Sequence, residues 1–418
     1  MTALLYRPRL SFSLKPALAL GALVLAFYSP LRSDDPASYP RALPVEPAAP
    51  VAPVAPATTV IPVAPVAPSD STQTWLLLPP TALSSDDFNH INDSARGLAG
   101  EKTPGASWES TPEWHDYQQW LDDRWSYMNS VRLDAMRNWG NSELGGLRGK
   151  TGTVFYPFSG PDVLYADVLF PDSKVLLMAG LEPVGTMPDL AKLQQEGKLG
   201  PYLAQLRTSL VTLLGASFFI TNAMKTDFNN QLFDGLMPAM VVFLAREGYP
   251  INGIQYVVLG HDGILHERGE TPGAPGVQIT YGDGRTLLYF QTDLGNDGLK
   301  DNPGFVRLMK RFAPGITYLK AASYLLHEDY FSTIRNAILD DSVGVVEDDS
   351  GIPFKDFNPA QWDVIPYGDY TGPINLFKDK YQPDLDEFYK RTPHPTLAFG
   401  SGYKYDASVS SLLVAKKK

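Results

Sequence analysis

Four groups of residues have the types and spacing that chemistry needs. The first is the turn Pro157-Phe158-Ser159-Gly160-Pro161-Asp162, with Tyr156 before it and Glu182 beyond the next apolar run. A strand, a small-residue turn with an acid, a helix and a second strand ending in an acid mimic half of a nucleotide-binding unit. In such a unit glycine lets the backbone approach the ligand, and the acid accepts from ribose hydroxyls. Tyr156, Ser159, Gly160, Asp162 and Glu182 are therefore the expected ligand-binding residues. The pattern is degenerate. One glycine stands where the dinucleotide fingerprint has three, and Pro161 removes a donor. The plainer reading is an ordinary turn with Asp162 compensating a helix dipole.

The second group is Lys320, Ser323, His327 and Glu328. A serine beside a lysine or histidine can be an activated nucleophile. No Gly-x-Ser-x-Gly elbow surrounds Ser323, and a structural serine with a half-exposed histidine is the alternative. The third is Glu347-Asp348-Asp349-Ser350-Gly351 after an apolar strand. Adjacent acids are costly unless a cation or donors compensate them. They could hold Ca²⁺ or Mg²⁺ through oxygen or supply a general base. A solvated acidic loop is the alternative, and no metal site is assigned. Asp348, Asp349, Lys320, Ser323 and His327 form the expected catalytic set. The fourth group, His261, Asp262 and His266, is a weak metal candidate, because residues five apart on a strand do not share a face. Asp293 to Gly298 lacks the alternating acids of a calcium loop and reads as a turn.

The elements that must position these residues alternate. Residues 112–139 read as an amphipathic helical segment, with Trp114, Tyr117, Leu121, Trp125, Met128 and Met136 near a 3.6-residue period. Thr111-Pro112-Glu113 is a good helix start. Strands are expected at 153–156, 174–179, 216–224, 253–265, 277–281, 285–292, 316–322, 343–347, 396–399 and 411–415. Helices are expected at 163–170, 188–213, 238–248, 305–312 and 329–339. Gly282-Asp283-Gly284 marks a hairpin. The expected fold is α/β, with a mostly parallel sheet, flanking helices and antiparallel strands near the C-terminus.

Composition narrows the function. The 418 residues include 35 Lys and Arg against 46 Asp and Glu, a net charge of -11, and no Cys. Disulfides, thiolate zinc sites and cysteine nucleophiles are excluded. The acidic balance disfavours nucleic acid as a partner. Residues 1–30 read as a signal peptide or membrane anchor. Arg7, Arg9 and Lys15 precede the apolar run Ala17 to Tyr28, whose helical length of about 18 Å is short of the roughly 30 Å bilayer core. Residues 31–75 read as a disordered proline-rich spacer, with repeats such as Val51-Ala52-Pro53. An irregular leader, 76–110, and one α/β domain, 111–418, complete the expected organisation.

Two resemblances bear on this. The alternation over roughly residues 150–345 resembles a class I methyltransferase Rossmann domain. That resemblance implies that the Ser159–Asp162 turn and Glu182 face an adenosyl cofactor. The blocks Phe155 to Asp162, Gly180 to Gly185, Lys320 to His327, Asp348 to Pro353, Gly368-Asp369-Tyr370 and Gly402-Tyr403 look like a family of uncharacterised exported bacterial proteins. Export and use of a cytoplasmic cofactor oppose each other. The cofactor is unknown. The expected function is an envelope protein, periplasmic or secreted, or held at the inner membrane if its N-terminus is uncleaved. It would act as a binding or accessory module for a small molecule or envelope component. The alternative is an enzyme, either a carboxylate-based hydrolase or a degenerate S-adenosylmethionine-dependent methyltransferase.

Overall fold

The computed structural model describes residues 76–79, 83–216, 234–269 and 271–418, which belong to one compact unit spanning Ser71–Lys418. The expected signal and spacer lie outside the described residues. No helix among the described residues is long and apolar enough to cross a membrane.

The helices that matter for the site are α1 (Ser85–Leu98), α2 (Pro112–Met128), α3 (Asp134–Glu143), α4 (Val163–Leu169), α5 (Leu199–Ala216), α6 (Met237–Arg246), α7 (Gly304–Phe312), α8 (Ser332–Asp341) and α9 (Pro383–Arg391). The stripe on α2 is buried as its period requires: Trp114, Tyr117, Leu121, Trp125 and Met128 all face the core. Thr111 caps this helix by accepting from the Trp114 amide, and Pro112 occupies its first turn. A π-helical turn, Asn129–Leu133, joins α2 to α3 and buries Arg132 and Leu133. Such turns commonly redirect side chains at functional positions.

Among the described residues ten strands form one sheet: β1 (Thr153–Tyr156), β2 (Val175–Gly180), β3 (Ile251–Gly260), β4 (Leu265–Glu267), β5 (Gly273–Tyr281), β6 (Arg285–Gln291), β7 (Gly315–Leu319), β8 (Ser342–Glu347), β9 (Trp362–Gly368) and β10 (Ser411–Lys417). Their order is β4-β3-β5-β6-β2-β1-β7-β8-β10-β9. The five central strands, β6-β2-β1-β7-β8, run parallel. The strands outside them pair antiparallel, β3 with β4 and β5, β5 with β6, and β10 with both β8 and β9.

Central strands covered on both faces read as continuous apolar runs. Successive side chains then feed opposite layers. Val154 and Tyr156 join the core on one face, with Leu176, Met178 and Tyr318. Phe155, Val175, Leu177 and Leu319 join the core on the other.

Several expectations need correction. The sheet is mixed rather than mostly parallel, because the β3–β4–β5 wing adds antiparallel pairing beside β6 as well as at the C-terminal end. The expected strand 253–265 is a hairpin, turned by residues 261–264. The strand expected at 216–224 fails at its start, since Ala216 ends α5, and its remainder lies outside the described residues. Residues 396–399 form no strand, whereas Trp362–Gly368 does. Strand β7 ends at Leu319, before the expected 322. The leader is not wholly irregular, because α1 lies within it, capped by Ser84.

Candidate functional site

Asp162, Glu182, Lys320 and Asp348 all follow carboxyl ends of the parallel strands, so they share one edge of the sheet. In open α/β sheets that edge is where ligands bind. Glu182 follows β2 and Asp348 follows β8, with β1 and β7 between them. Three strand spacings put their backbones on the order of 14 Å apart. The two acids therefore do not form a carboxylate pair. What lies between them is a buried ion pair.

Lys320 Nζ is 2.5 Å from Asp162 Oδ2, and both side chains are 2% exposed. The ammonium also lies 3.6 Å from the centroid of the Tyr165 ring, a cation–π contact. Tyr156 donates its hydroxyl to Asp162 Oδ2 at 2.8 Å, and the Tyr165 amide donates to Asp162 Oδ1 at 3.3 Å. Asp162 is thus both the cap of α4 and the counter-ion of Lys320. Arg132, delivered by the π turn, donates to the Tyr165 hydroxyl at 2.9 Å. Burial pushes the Lys320 ammonium down and the Tyr156 phenol well up.

The turn before α4 is tied to β2. The amide and hydroxyl of Ser159 both reach the Ala179 carbonyl, at 3.0 and 3.2 Å. Gly160 has φ +52°, a conformation that side chains disfavour. Glu182 is buried, and its carboxylate packs over Gly180: a Cβ there would lie 2.7 Å from Glu182 Oε2. Tyr289 donates to the Glu182 carbonyl at 2.8 Å.

Beyond β7 the backbone is strained. Ala321 has φ 60° and ψ -86°, a sparsely populated region held only where the surroundings impose it. Its amide donates to Asp348 Oδ2 at 3.0 Å. Asp348 Oδ1 also accepts from the Ser350 amide at 2.9 Å and the Ser350 hydroxyl at 2.5 Å. Burial, then the neighbouring Asp349, pushes the Asp348 carboxyl up to about 6. Asp349 accepts from the Tyr324 hydroxyl at 2.8 Å and pairs with Lys404 at 3.1 Å. Glu347 is fully buried, accepts from the Ile352 amide at 2.8 Å, and has its carboxyl pushed well up by burial. The acids at 347–349 are therefore not a solvated loop. Each has donors in the fold.

The second expected group is split. Lys320 is spent on Asp162. Ser323 is wholly buried, and its hydroxyl has no hydrogen-bond partner among the described residues. A nucleophile needs a base within hydrogen-bond reach, and here neither Lys320 nor His327 fills that role. The His327 ring is edge-on to Tyr324, bonds the Gly351 carbonyl, and is pushed down to about 4 by burial. It lines a separate cavity of about 260 Å³ with Pro353, Lys355, Lys380 and Tyr381. Among the described residues no cluster of three metal-ligating side chains forms. His266 and Asp262 approach to 3.8 Å across the β3–β4 turn.

Three contributors were not anticipated from sequence: Arg132, Lys404 and Gly402. Arg132 falls between Met128 and Met136 on the apolar stripe of residues 112–139, and a cation on such a stripe is a readable signal. Lys404 reaches Asp349 through a long-range contact that no local pattern encodes. Gly402 has φ +58°, and a Cβ there would collide with Asp348 Oδ2. No family model, curated protein or solved structure matches the chain.

Proposed function

We propose that the chain is an exported binding module built on a methyltransferase-like doubly wound scaffold that has lost its adenosyl site. The central order β6-β2-β1-β7-β8 repeats the 3-2-1-4-5 order of such sheets. The reversed β10 between β8 and β9 agrees with the methyltransferase variant. The basic and apolar N-terminal segment supports export, and an exported domain meets no supply of the cofactor. The observation that carries the reading is the self-pairing of the strand-end groups. Asp162 is held by Lys320 and Tyr156, Ser159 by β2, and Asp348 and Asp349 by their own donors. Fold alone decides no function, so this closure of the edge bears the weight.

Thermal unfolding of the full-length chain with S-adenosylmethionine, and separately with Mg²⁺ and Ca²⁺, tests it. No shift is expected from any of them. A ligand at 100 times its dissociation constant adds about 2.7 kcal/mol. A saturable rise with S-adenosylmethionine would overturn the reading.

One observation favours a second reading, a carboxylate-based hydrolase. Asp348 combines a raised carboxyl with a strained neighbour, Ala321, and such groups cluster at catalytic sites. It is the weaker reading because Asp348 is 3% exposed and all its near donors are structural.

A further inference from the structure

A short strap, residues 400–405, lies over the Asp348 end of this edge, ahead of β10 in the chain. Gly402 packs directly on Asp348. Tyr403 stacks on Tyr324, with ring centroids 6.2 Å apart and planes 10° apart. The strap is pinched by an isolated bridge between Ser401 and Lys404 and tied at its base by the Ser401 amide, which donates to Ser410 Oγ at 3.0 Å.

The end of Lys404 occupies a distinct small site. Its ammonium lies 3.1 Å from Asp349 Oδ2 and 5.2 Å from the centroid of the Tyr370 ring. Both members of the ion pair are 6% exposed, yet among the described residues the ammonium makes no well-angled hydrogen bond. A carboxylate fixed by the Tyr324 hydroxyl beside the face of one tyrosine, Tyr370, is chemistry that recognises an organic ammonium. Lys320 is held in the same way, by Asp162 and the Tyr165 ring, but from the residue that follows a central strand. Lys404 is carried on a short loop outside the strands.

We propose that Lys404 is a tethered stand-in for a ligand, and that the pocket of Asp349, Tyr324 and Tyr370 takes the primary ammonium of a small amine when the strap lifts. This rests on the binding-module reading and names the ligand class for its site. Lifting the strap removes Gly402 from Asp348 as well, so an amine with a second polar group meets the Asp348 carboxylate beside the first. No bond is made or broken. The ligand exchanges one ammonium for another.

Lys404→Ala empties the pocket while leaving the backbone of the strap intact. In the full chain, n-butylammonium is expected to restore about half or more of the melting temperature lost by this variant, saturably. n-Butanol and an equal concentration of sodium chloride are expected to do nothing. In the wild-type chain the same amine is expected to speed hydrogen exchange at the amides of residues 401–405 and to leave exchange in β1 and β2 unchanged. Equal effects of butanol and butylammonium would mean a mere cavity and would overturn the ammonium site. Rescue of the variant with unaltered strap exchange in the wild type would overturn the displacement. If Lys404→Ala does not fold, the wild-type exchange measurement decides alone. Failure of these tests is separable from failure of the binding-module reading, which turns on S-adenosylmethionine.

Discussion

Replacing Lys320 by Met is expected to destabilise the folded chain by about 3–5 kcal/mol, because it strands Asp162 as a buried carboxylate without its counter-charge. Asp162 is 2% exposed, so water cannot replace the ammonium. The Tyr156 hydroxyl and the Tyr165 amide remain as donors, but neither carries charge. The double variant Lys320→Met, Asp162→Asn is expected to regain most of the loss, since an uncharged pair of similar volume is often neutral relative to a buried ion pair. Urea unfolding of the two variants and the wild type measures both. A single-variant loss below about 1 kcal/mol is the size seen for exposed pairs and would mean that solvent reaches the strand ends.

The second large effect is a pH slope. The Asp348 carboxyl is raised from 3.8 to about 6 by burial and by Asp349. Between about pH 4 and about pH 6 the unfolded chain has released this proton and the folded chain still holds it. The folded state then binds more protons, so stability from this site falls as pH rises. A shift of about two units corresponds to about 3 kcal/mol as an upper bound. Glu347, also raised by burial, works in the same direction. Carboxyls lowered by their donors, Glu196 by Lys198 and Asp386 by Lys390, work in the opposite direction, so total stability does not isolate the effect. Comparison with Asp348→Asn does. The variant is expected to lose stability more shallowly than the wild type between about pH 4 and about pH 7. Parallel curves would show that Asp348 is already ionised at the lower end. The same variant addresses the hydrolase reading, which requires loss of a turnover rather than a change of slope.

Much of this edge was legible in the sequence because local physics writes it there. Thr153–Tyr156 and Val175–Gly180 are short apolar runs between glycine and proline punctuation, and the intervening helix begins where Asp162 can cap it. The same punctuation puts Asp162, Lys320 and Asp348 at or near strand ends. What sequence did not reveal is who partners them. Lys320 beside Ser323 suggested a nucleophile, yet the lysine turns to Asp162 across β1 and β7. Asp349 next to Asp348 suggested a cation site, yet Lys404, far along the chain, supplies the charge. Local spacing cannot encode such pairings.

Strand β9 shows a different failure. It contains Pro366 and exposed Asp363, and proline is tolerated in strands only at edges. Nothing local announces that this segment is an edge. In the antiparallel wing the Gly282-Asp283-Gly284 hairpin is legible from its turn, whereas reading residues 253–265 as one strand overlooks the Asp262-Gly263 turn signal that folds them into a second hairpin.

The account depends on the strand-end edge being filled by the chain's own groups. A crystal structure of the full chain grown with saturating S-adenosylmethionine tests that most directly. The expected result is an intact Lys320–Asp162 pair, with residues 400–405 in place over Asp348 and no nucleoside between Gly160 and Glu182. A nucleoside bound there, with its ribose on the Glu182 carboxylate, would contradict it.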